Sequence, residues 1–325
     1  MAFWARGADG MTRLQLSICL VLPIVAGFLL QKNNYGLTIL AFMLIYSILA
    51  MATSLCMGHA GQVTLAQGGF FAVGAYASAF FSLTLSAPFA LGLLAAIVAS
   101  TLAGYALGYP ILRVKGHFLG LVTLAFTQVV HEIALHWESV TGGFNGLYGM
   151  IKPTLPIPGI DPFYGFILLL SAFWFAVLLG ADNLVHSRYG RAMHMLKASE
   201  WGAQACGMNV AGLKCDAFAI SAGVCGGAGA FYAHFIGYIG PESFTLDVSI
   251  TVIAMCILGG MTDLRGALVG SALMTILNEP LRNYPLVQPV MYAVVMLATI
   301  VGLPRGIVPS ILRWQSMRAA LKKAA

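Results

Sequence analysis

The sequence predicts an all-α polytopic membrane protein with about ten transmembrane helices. Its composition is 59% hydrophobic and only 9% charged, with a mean hydropathy of +0.87. Most of the 325 residues lie in apolar runs close to the roughly 17–25 residues that a helix needs to cross a bilayer. The 37 glycines suit helices that pack closely within a membrane. Because these runs leave no room for a soluble domain, residues 1–325 are expected to form a single transmembrane domain.

Ten apolar segments follow one another along the chain. Their approximate bounds are 14–30, 36–56, 64–85, 88–108, 118–136, 163–183, 216–238, 246–260, 264–281 and 286–303. The first segment superficially resembles a signal peptide, but no small-x-small cleavage motif follows it, and we interpret it as a retained helix. The eighth and ninth segments are short enough to be one interrupted pair. Since five is odd, ten helices also allow an inverted five-plus-five repeat.

The basic residues predict the orientation of the chain. With the N-terminus inside, fourteen of the 17 Lys and Arg residues lie in inside loops and tails, and only Lys32, Lys152 and Arg282 lie outside. Short loops rich in Lys and Arg stay on the cytoplasmic side of a membrane. Both termini, a loop at 185–214 and a tail at 305–325 are therefore expected to be cytoplasmic. This topology accounts for the net charge of +6 without nucleic-acid binding.

Two glycine-containing stretches, 57–76 and 257–273, interrupt the apolar pattern. Such breaks in the two halves of a transporter indicate a central pathway, because unwound backbone at membrane depth must lie against protein or a water-filled cavity. The breaks do not fall at matching helix numbers, and close helix packing explains Gly266 and Gly270 equally well. The residues expected to line a path are Gln62, Thr64, Gln67, Gly69, Phe70 and Phe71.

The 185–214 loop is more polar than a simple connection requires. Its charged residues are Arg188, Arg191, Lys197, Lys214 and the single acid Glu200. The stretch from Arg191 to Cys206 contains no proline and only one glycine, and Gly207 offers a C-terminal stop. We therefore predict a short helix that docks on a cytoplasmic partner, in which Glu200 is available to a partner's arginine. A solvated connector without a partner is the alternative.

Catalytic and metal-binding patterns are not evident in the sequence. His131 and His136 are five residues apart, or roughly 140° around a helix, whereas the zinc-binding H-E-x-x-H helix needs a spacing of four. The sequence contains no CxxC and no G-x-x-x-x-G-K-[ST] phosphate loop. We predict no catalytic residue, metal or cofactor in this chain, so ATP-driven transport would require an ATPase on another subunit.

Six ordered blocks carry a resemblance to a known family. They are GHAGQVTLAQGGFFAVGAYASA at 58–79, KGHFLGLVTLAF at 115–126, TGGFNGLYGM at 141–150, SRYGRAMHMLKASEWGAQACGMNVAGLKCDAFAISA at 187–222, GAFYAHFIGYIGPESF at 229–244 and LGGMTDLRGALVGSAL at 258–273. In these blocks the chain resembles the M-type permease subunits of ABC importers for branched-chain amino acids. Relatives with the same blocks import urea or short amides, so these substrates stay open, as does a secondary transporter. His59 departs from the family, in which an aromatic residue, usually Tyr, is common.

The resemblance implies where the chain is located and which subunits it assembles with. It implies a bacterial inner membrane, a second permease subunit, cytoplasmic ATP-binding subunits that carry ATP and Mg, and a periplasmic substrate-binding protein. It also implies that the cytoplasmic loop couples transport to the ATPase. The residues expected to act in coupling are Gly190, Arg191, Glu200, Gly207 and Asn209. The residues expected to form an outer gate or docking lip are Thr141, Gly142, Gly143 and Asn145.

Overall fold

The protein is a bundle of α-helices in the computed structural model, which describes residues 13–31, 33–111, 118–154, 161–281, 288–302, 306–311 and 314. Each of the ten predicted apolar segments contains a helix. These helices are α1 (Arg13–Leu29), α2 (Asn34–Thr53), α3 (Gln67–Thr84), α4 (Phe89–Ile111), α5 (Phe118–His136), α7 (Pro162–His186), α10 (Val210–Ile236), α11 (Leu246–Gly259), α12 (Leu264–Leu281) and α13 (Gln288–Gly302).

Shorter elements lie between these helices. They are α6 (Glu138–Thr141), α8 (Arg188–Ala198), α9 (Glu200–Ala205), a π-helical turn at Ser54–His59, and 3-10 turns at Gly143–Asn145 and Pro241–Phe244. Two short strands, β1 (Leu147–Tyr148) and β2 (Tyr238–Ile239), pair antiparallel and join two loops at one end of the bundle.

Several helices can cross a membrane, as an all-α polytopic protein requires. Within the described residues, six helical segments are long and apolar enough for this: Asn34–His59, Phe89–Pro110, Phe118–His136, Pro162–His186, Val210–Ile236 and Pro241–Gly259. The predicted count of about ten spans is not confirmed.

Helix α10 is the centre of the bundle and packs against α3 and α4. Small residues make this possible, because a Cβ atom on Gly74 would lie 2.2 Å from the Gly226 carbonyl oxygen. A Cβ atom on Gly229 would likewise lie 2.2 Å from the carbonyl oxygen of Phe71. The backbones of α3 and α10 therefore touch directly, as the glycine-rich composition suggested.

The second predicted break forms the turn between α11 and α12. Gly260 has a φ of +120° at this turn, a conformation that favours glycine. A Cβ atom on Gly259 would lie 1.8 Å from the Gly266 carbonyl oxygen, and one on Gly270 would lie 1.9 Å from that of Met255. The glycines of this stretch therefore act in close helix packing, which was one of the two interpretations that the sequence left open.

Candidate functional site

The first predicted break contains an unwound stretch, residues 60–66, that follows the π-helical turn and precedes α3. We call this stretch, together with the first turn of α3, the broken segment (residues 60–71). Side chains of α5 and α11 satisfy its backbone. The Leu65 N–H donates to Thr123 Oγ1 (2.9 Å), and the Thr127 hydroxyl donates to the Leu65 carbonyl (2.8 Å). The Gly68 N–H donates to Ser249 Oγ (2.9 Å). The unwound backbone thus lies against protein, which is one of the two environments that make it tolerable at membrane depth.

The residues predicted to line a path are brought together on this segment. Gln62, Thr64, Gln67, Phe70 and Phe71 are all buried, with side chains 1–3% exposed. Gln62 Nε2 donates to the Lys214 carbonyl (3.1 Å), and Thr64 Oγ1 accepts from the Ala66 N–H (3.2 Å). In this conformation these polar groups are therefore occupied by the protein itself.

Gln67 is the exception among these side chains. Its Oε1 atom is buried and has no hydrogen-bond partner within the described part of the chain. A buried acceptor without a partner costs free energy on the order of 1–3 kcal/mol, so a ligand or water that reached it would be bound favourably. Gly69 stands beside it, and a Cβ atom there would lie 2.8 Å from the Phe126 ring.

His59 belongs to the interior at the end of the π-helical turn. It is 3% exposed, and its Nδ1 atom lies 3.0 Å from the Ser54 carbonyl oxygen. Its ring packs edge-on against His194, with 5.3 Å between the ring centroids. These contacts give His59 a packing role between the broken segment and α8.

Helices α8 and α9 form a surface at the end of the bundle where α10 begins, which we call the α8–α9 platform (residues 187–209). Ser187 caps α8 by accepting from the Tyr189 N–H (3.1 Å). Ser199 is extended, with a φ of −163°, and caps α9 by accepting from the Gly202 N–H (3.1 Å). The prediction of one helix from 191 to 206 is therefore wrong, because the Ser199 cap divides it in two.

Three residues predicted for coupling shape the ends of the platform. Gly190 lies where α7 turns into α8, and a Cβ atom there would lie 1.8 Å from the Val185 carbonyl oxygen. Gly207 follows α9 with a φ of +77°, which is the predicted C-terminal stop. Asn209 caps α10 by accepting from the Gly212 N–H (3.1 Å). These residues set the backbone geometry at the ends of the platform.

Glu200 and Arg191, the two charged residues predicted for coupling, make different contacts. Glu200 accepts a hydrogen bond from the Lys214 ammonium of α10, whose side chain is only 10% exposed. This bond uses one oxygen of a carboxylate whose side chain is 40% exposed, so the pairing of Glu200 with a partner's arginine stays a prediction. Arg191 is exposed, and its guanidinium donates to the His186 carbonyl (3.3 Å). The Glu200–Lys214 pair ties α9 to α10.

Large side chains face outward from the platform. Tyr189 is 53% exposed, Met195 43% and Trp201 74%. A cavity of about 400 Å³ lies between α8 and the start of α10, with Arg188, Tyr189 and Asp216 in its lining. Exposed aromatic and methionine side chains beside charged groups are typical of a protein–protein contact.

Lys197 and His194 connect the platform to the broken segment. The Lys197 ammonium donates to the Gly58 carbonyl at 2.5 Å. Burial lowers the pKa of Lys197, and it lowers the pKa of His194, with the nearby Lys197 and His186 adding to the effect. A movement of α8 would therefore act directly on the turn that leads into the unwound segment.

The predicted outer loop is a compact turn at the opposite end of α10. The buried Thr141 hydroxyl lies 2.7 Å from the Ala134 carbonyl and accepts from the Gly143 N–H (3.2 Å). Gly142 and Gly143 have φ values of +73° and +59°, which the left-handed region allows readily only to glycine. Asn145 is exposed on this turn. Neighbouring side chains are also exposed: Phe144 by 73%, Tyr148 by 75% and Ile151 by 84%.

The polar partners of the broken segment were missed by sequence reasoning. Thr123, Thr127 and Ser249 hold its backbone from α5 and α11, but they lie within two of the predicted apolar segments, 118–136 and 246–260. Their only signal is that a hydroxyl in a membrane helix needs a hydrogen-bond partner, and the sequence does not say which partner.

Comparison with known proteins identifies the family. Residues 35–304 match the family described as the permease component of the branched-chain amino acid transport system. The chain belongs to this family. No solved structure gives a significant match to this permease.

Two bacterial relatives align with almost the whole permease. The high-affinity branched-chain amino acid transport system permease proteins LivM of Salmonella typhimurium and Escherichia coli K12 are both 30% identical over 93% of this chain and 76% of their own length. A probable branched-chain amino acid transport permease protein LivM of Methanocaldococcus jannaschii is 25% identical over 67% of this chain and 68% of its own.

Proposed function

We propose that this chain is one of two membrane permeases of an ATP-driven importer for branched-chain and other hydrophobic amino acids. The observation that carries the proposal is the family match over residues 35–304, together with similarity to LivM proteins over 93% of the chain. In this proposal ATP and Mg bind to cytoplasmic subunits, and a binding protein delivers substrate from the outside of a bacterial inner membrane.

The α8–α9 platform is the proposed contact with the ATPase subunits. Its exposed Tyr189, Met195 and Trp201 offer apolar area, and the Glu200–Lys214 pair transmits movement of α9 to α10. Lys197 carries the movement of α8 to Gly58. A rigid platform with fixed ends is what a coupling element needs, because a flexible loop would absorb the movement.

The broken segment is proposed to respond to that movement and to contribute to the path. Gln62, Thr64, Gln67, Gly69, Phe70 and Phe71 are buried in this conformation, so the segment has to shift for its amides to meet a solute. The unpartnered Gln67 Oε1 is the group that gains most from such a shift. Alternating access then consists of opening the path to one side of the membrane at a time.

The outer turn is proposed to receive the binding protein. Phe144, Tyr148 and Ile151 are exposed at one end of the bundle, and the β1–β2 pair holds their loop to the end of α10. Thr141, Gly142, Gly143 and Asn145 supply the tight backbone that presents these side chains.

Reconstitution tests the proposal. The chain is reconstituted with a candidate ATPase, second permease and binding protein from the same organism, and uptake of leucine, isoleucine and valine into proteoliposomes is measured. ATP-dependent uptake is expected, stimulated by loaded binding protein. Uptake of urea or acetamide in place of these amino acids would correct the substrate, whereas uptake without any ATPase would favour a secondary transporter and contradict the mechanism.

A further inference from the structure

A separate cleft of about 480 Å³ opens between α2, α11 and α12. Its lining follows α2 from Tyr35 to Tyr46, a depth of about 16 Å at a rise of ~1.5 Å per residue. Asp247 lies in the first turn of α11 and Glu279 in the last turn of α12. Both carboxylates therefore stand near the end of the cleft at which α2 begins.

The carboxylates give the cleft a negative charge. Among the described residues, the lining contains no Lys, Arg or His, and no ion pair involves Asp247 or Glu279. Glu279 accepts a hydrogen bond from the Tyr35 hydroxyl, which fixes one of its oxygens. The cleft is thus prepared for a cationic group.

A buried hydroxyl lies in the lining without a partner. Thr275 is 8% exposed, and its Oγ1 atom makes no hydrogen bond within the described residues. Helical threonines elsewhere donate to the carbonyl four residues earlier, as Thr38 and Thr53 do at 2.9 Å. The Thr275 hydroxyl is not used in this way, and a buried polar group left unpaired costs free energy. A ligand in the cleft would satisfy it.

The remaining lining provides both further polar groups and an apolar wall. Thr251 and Asn278 are half-buried donors, and Ile39, Phe42 and Met255 are apolar. Small-molecule sites combine a mostly apolar wall with a few convergent polar groups, in cavities of about 300–1,000 Å³. The carboxylates suit an ammonium, the hydroxyl and amide groups suit a carboxylate, and the wall suits an aliphatic side chain.

We infer that this cleft is a substrate site for zwitterionic amino acids with apolar side chains, in which Glu279 and Asp247 bind the ammonium group and Thr275 donates a hydrogen bond. The inference rests on the proposed function and adds the place where this subunit itself meets the substrate. Helix α11 joins the cleft to the broken segment, since Val248 and Thr251 line the cleft and Ser249 binds Gly68.

Charge-selective labelling tests the cleft in the complete importer. Thr251→Cys is introduced together with Cys206→Ser, which removes the thiol that is exposed among the cysteines whose burial the structure describes. A cationic methanethiosulfonate is expected to react about tenfold faster than an anionic one, because opposite charge raises the local reagent concentration. Glu279→Gln should reduce this ratio several-fold, whereas Glu132→Gln, an exposed carboxylate on α5, should leave it unchanged.

Protection by substrate tests the ligand class. An excess of leucine should slow labelling of Thr251→Cys, and N-acetyl-leucine, which lacks the ammonium, should not. Equal protection by both compounds, or by neither, would overturn the inference. Failure of both reagents to label the complex would also overturn it, because the second permease would then fill the cleft.

Transport by two matched variants separates this inference from the proposed function. Thr275→Val removes the unpartnered hydroxyl in the cleft and should lower leucine uptake at subsaturating substrate about fivefold, the effect on affinity of losing one hydrogen bond. Ser171→Ala removes another buried, unpartnered hydroxyl, which lies on α7 and outside the lining, and should have no effect. If wild-type uptake is normal and the two variants take up leucine at the same rate, the inference about the cleft is wrong and the proposed function stands. If the wild-type importer takes up no amino acid, the proposed function fails and the inference with it.

Discussion

At the residue scale, the shape of the α8–α9 platform depends on two glycines and one ion pair. Gly190 has no room for a side chain beside the Val185 carbonyl, and Gly207 needs its positive φ. Lys214 is a cation with a nearly buried side chain, and Glu200 is its ion-pair partner. Each of these features is local, so single substitutions with matched controls can test it.

Gly190→Ala should disturb the junction of α7 and α8. A Cβ atom would lie 1.8 Å from the Val185 carbonyl oxygen, and such overpacking costs about 1–3 kcal/mol. The expected result is a lower thermal midpoint of the purified protein and loss of ATPase stimulation. Gly180→Ala is the control, since that position on α7 has nothing within 4 Å of the added atom. An unchanged midpoint for Gly190→Ala would contradict the packing described.

Glu200→Ala should uncouple transport while the protein remains inserted. Loss of the Glu200 carboxylate leaves the Lys214 ammonium partly buried and unpaired, and it removes the ion pair that joins α9 to α10. The measurement is ATPase stimulation by loaded binding protein, together with uptake, in reconstituted complexes. Glu132→Ala, which removes an exposed carboxylate, should behave as wild type. Normal stimulation and uptake in Glu200→Ala would refute a coupling role for the pair.

At the scale of elements, neighbouring helices hold the broken segment in addition to its own hydrogen bonds, such as that from the Ala66 N–H to Thr64 Oγ1. Thr123 and Thr127 of α5 and Ser249 of α11 bind its backbone, and Lys197 of α8 binds the preceding turn. A segment held from several sides moves when its supports move. Its accessibility should therefore depend on the state of the ATPase subunits.

Cysteine accessibility tests this dependence. Gln62→Cys and Gln67→Cys should react slowly with small aqueous reagents in the resting importer, because both positions are 2–3% exposed, and ATP or substrate should change the rate. Val63→Cys is a useful comparison, since Val63 is 50% exposed on the same segment. If both glutamine positions stay inert in every nucleotide state, the segment is buried packing and the path lies elsewhere.

At the scale of the whole molecule, the α8–α9 platform and the outer turn, which are the two proposed partner contacts, lie at opposite ends of α10. This helix has 27 residues and so spans about 40 Å. The α8–α9 platform contacts its beginning, and β2 with the outer turn follows its end. In the proposed importer, a signal between these two ends would cross this distance through the glycine-packed core of α3, α4 and α10.

Labelling from outside the cell tests the predicted topology. Ser199→Cys on the platform should not react with an impermeant reagent in intact cells, because fourteen of the 17 basic residues then lie inside. Asn145→Cys on the outer turn is equally exposed and should react. Both should react after the cells are opened. Efficient labelling of Ser199→Cys in intact cells would reverse the orientation.

Composition, the ordered motif blocks and the lengths of the apolar runs were enough to predict the class of the protein, its family and the approximate positions of the long helices that the structure describes. Hydrophobic length is a local property, and ten apolar segments therefore predicted the ten long helices, although the count of membrane spans is not confirmed. Glycine likewise marked the first break, and Gly207 marked the end of α9. These signals are local because they reflect the conformation and solvation of a few adjacent residues.

The folded structure alone established the contacts between residues that are distant in the sequence. It paired Glu200 with Lys214, split the predicted platform helix at Ser199, buried Gln62 and Gln67, and brought Asp247, Thr275 and Glu279 to one cleft. These contacts join helices that are far apart in the chain, and hydrophobic periodicity does not specify the rotation of one apolar helix against another. In a membrane helix that is apolar on all sides, packing of side chains and scattered hydrogen bonds decides that rotation.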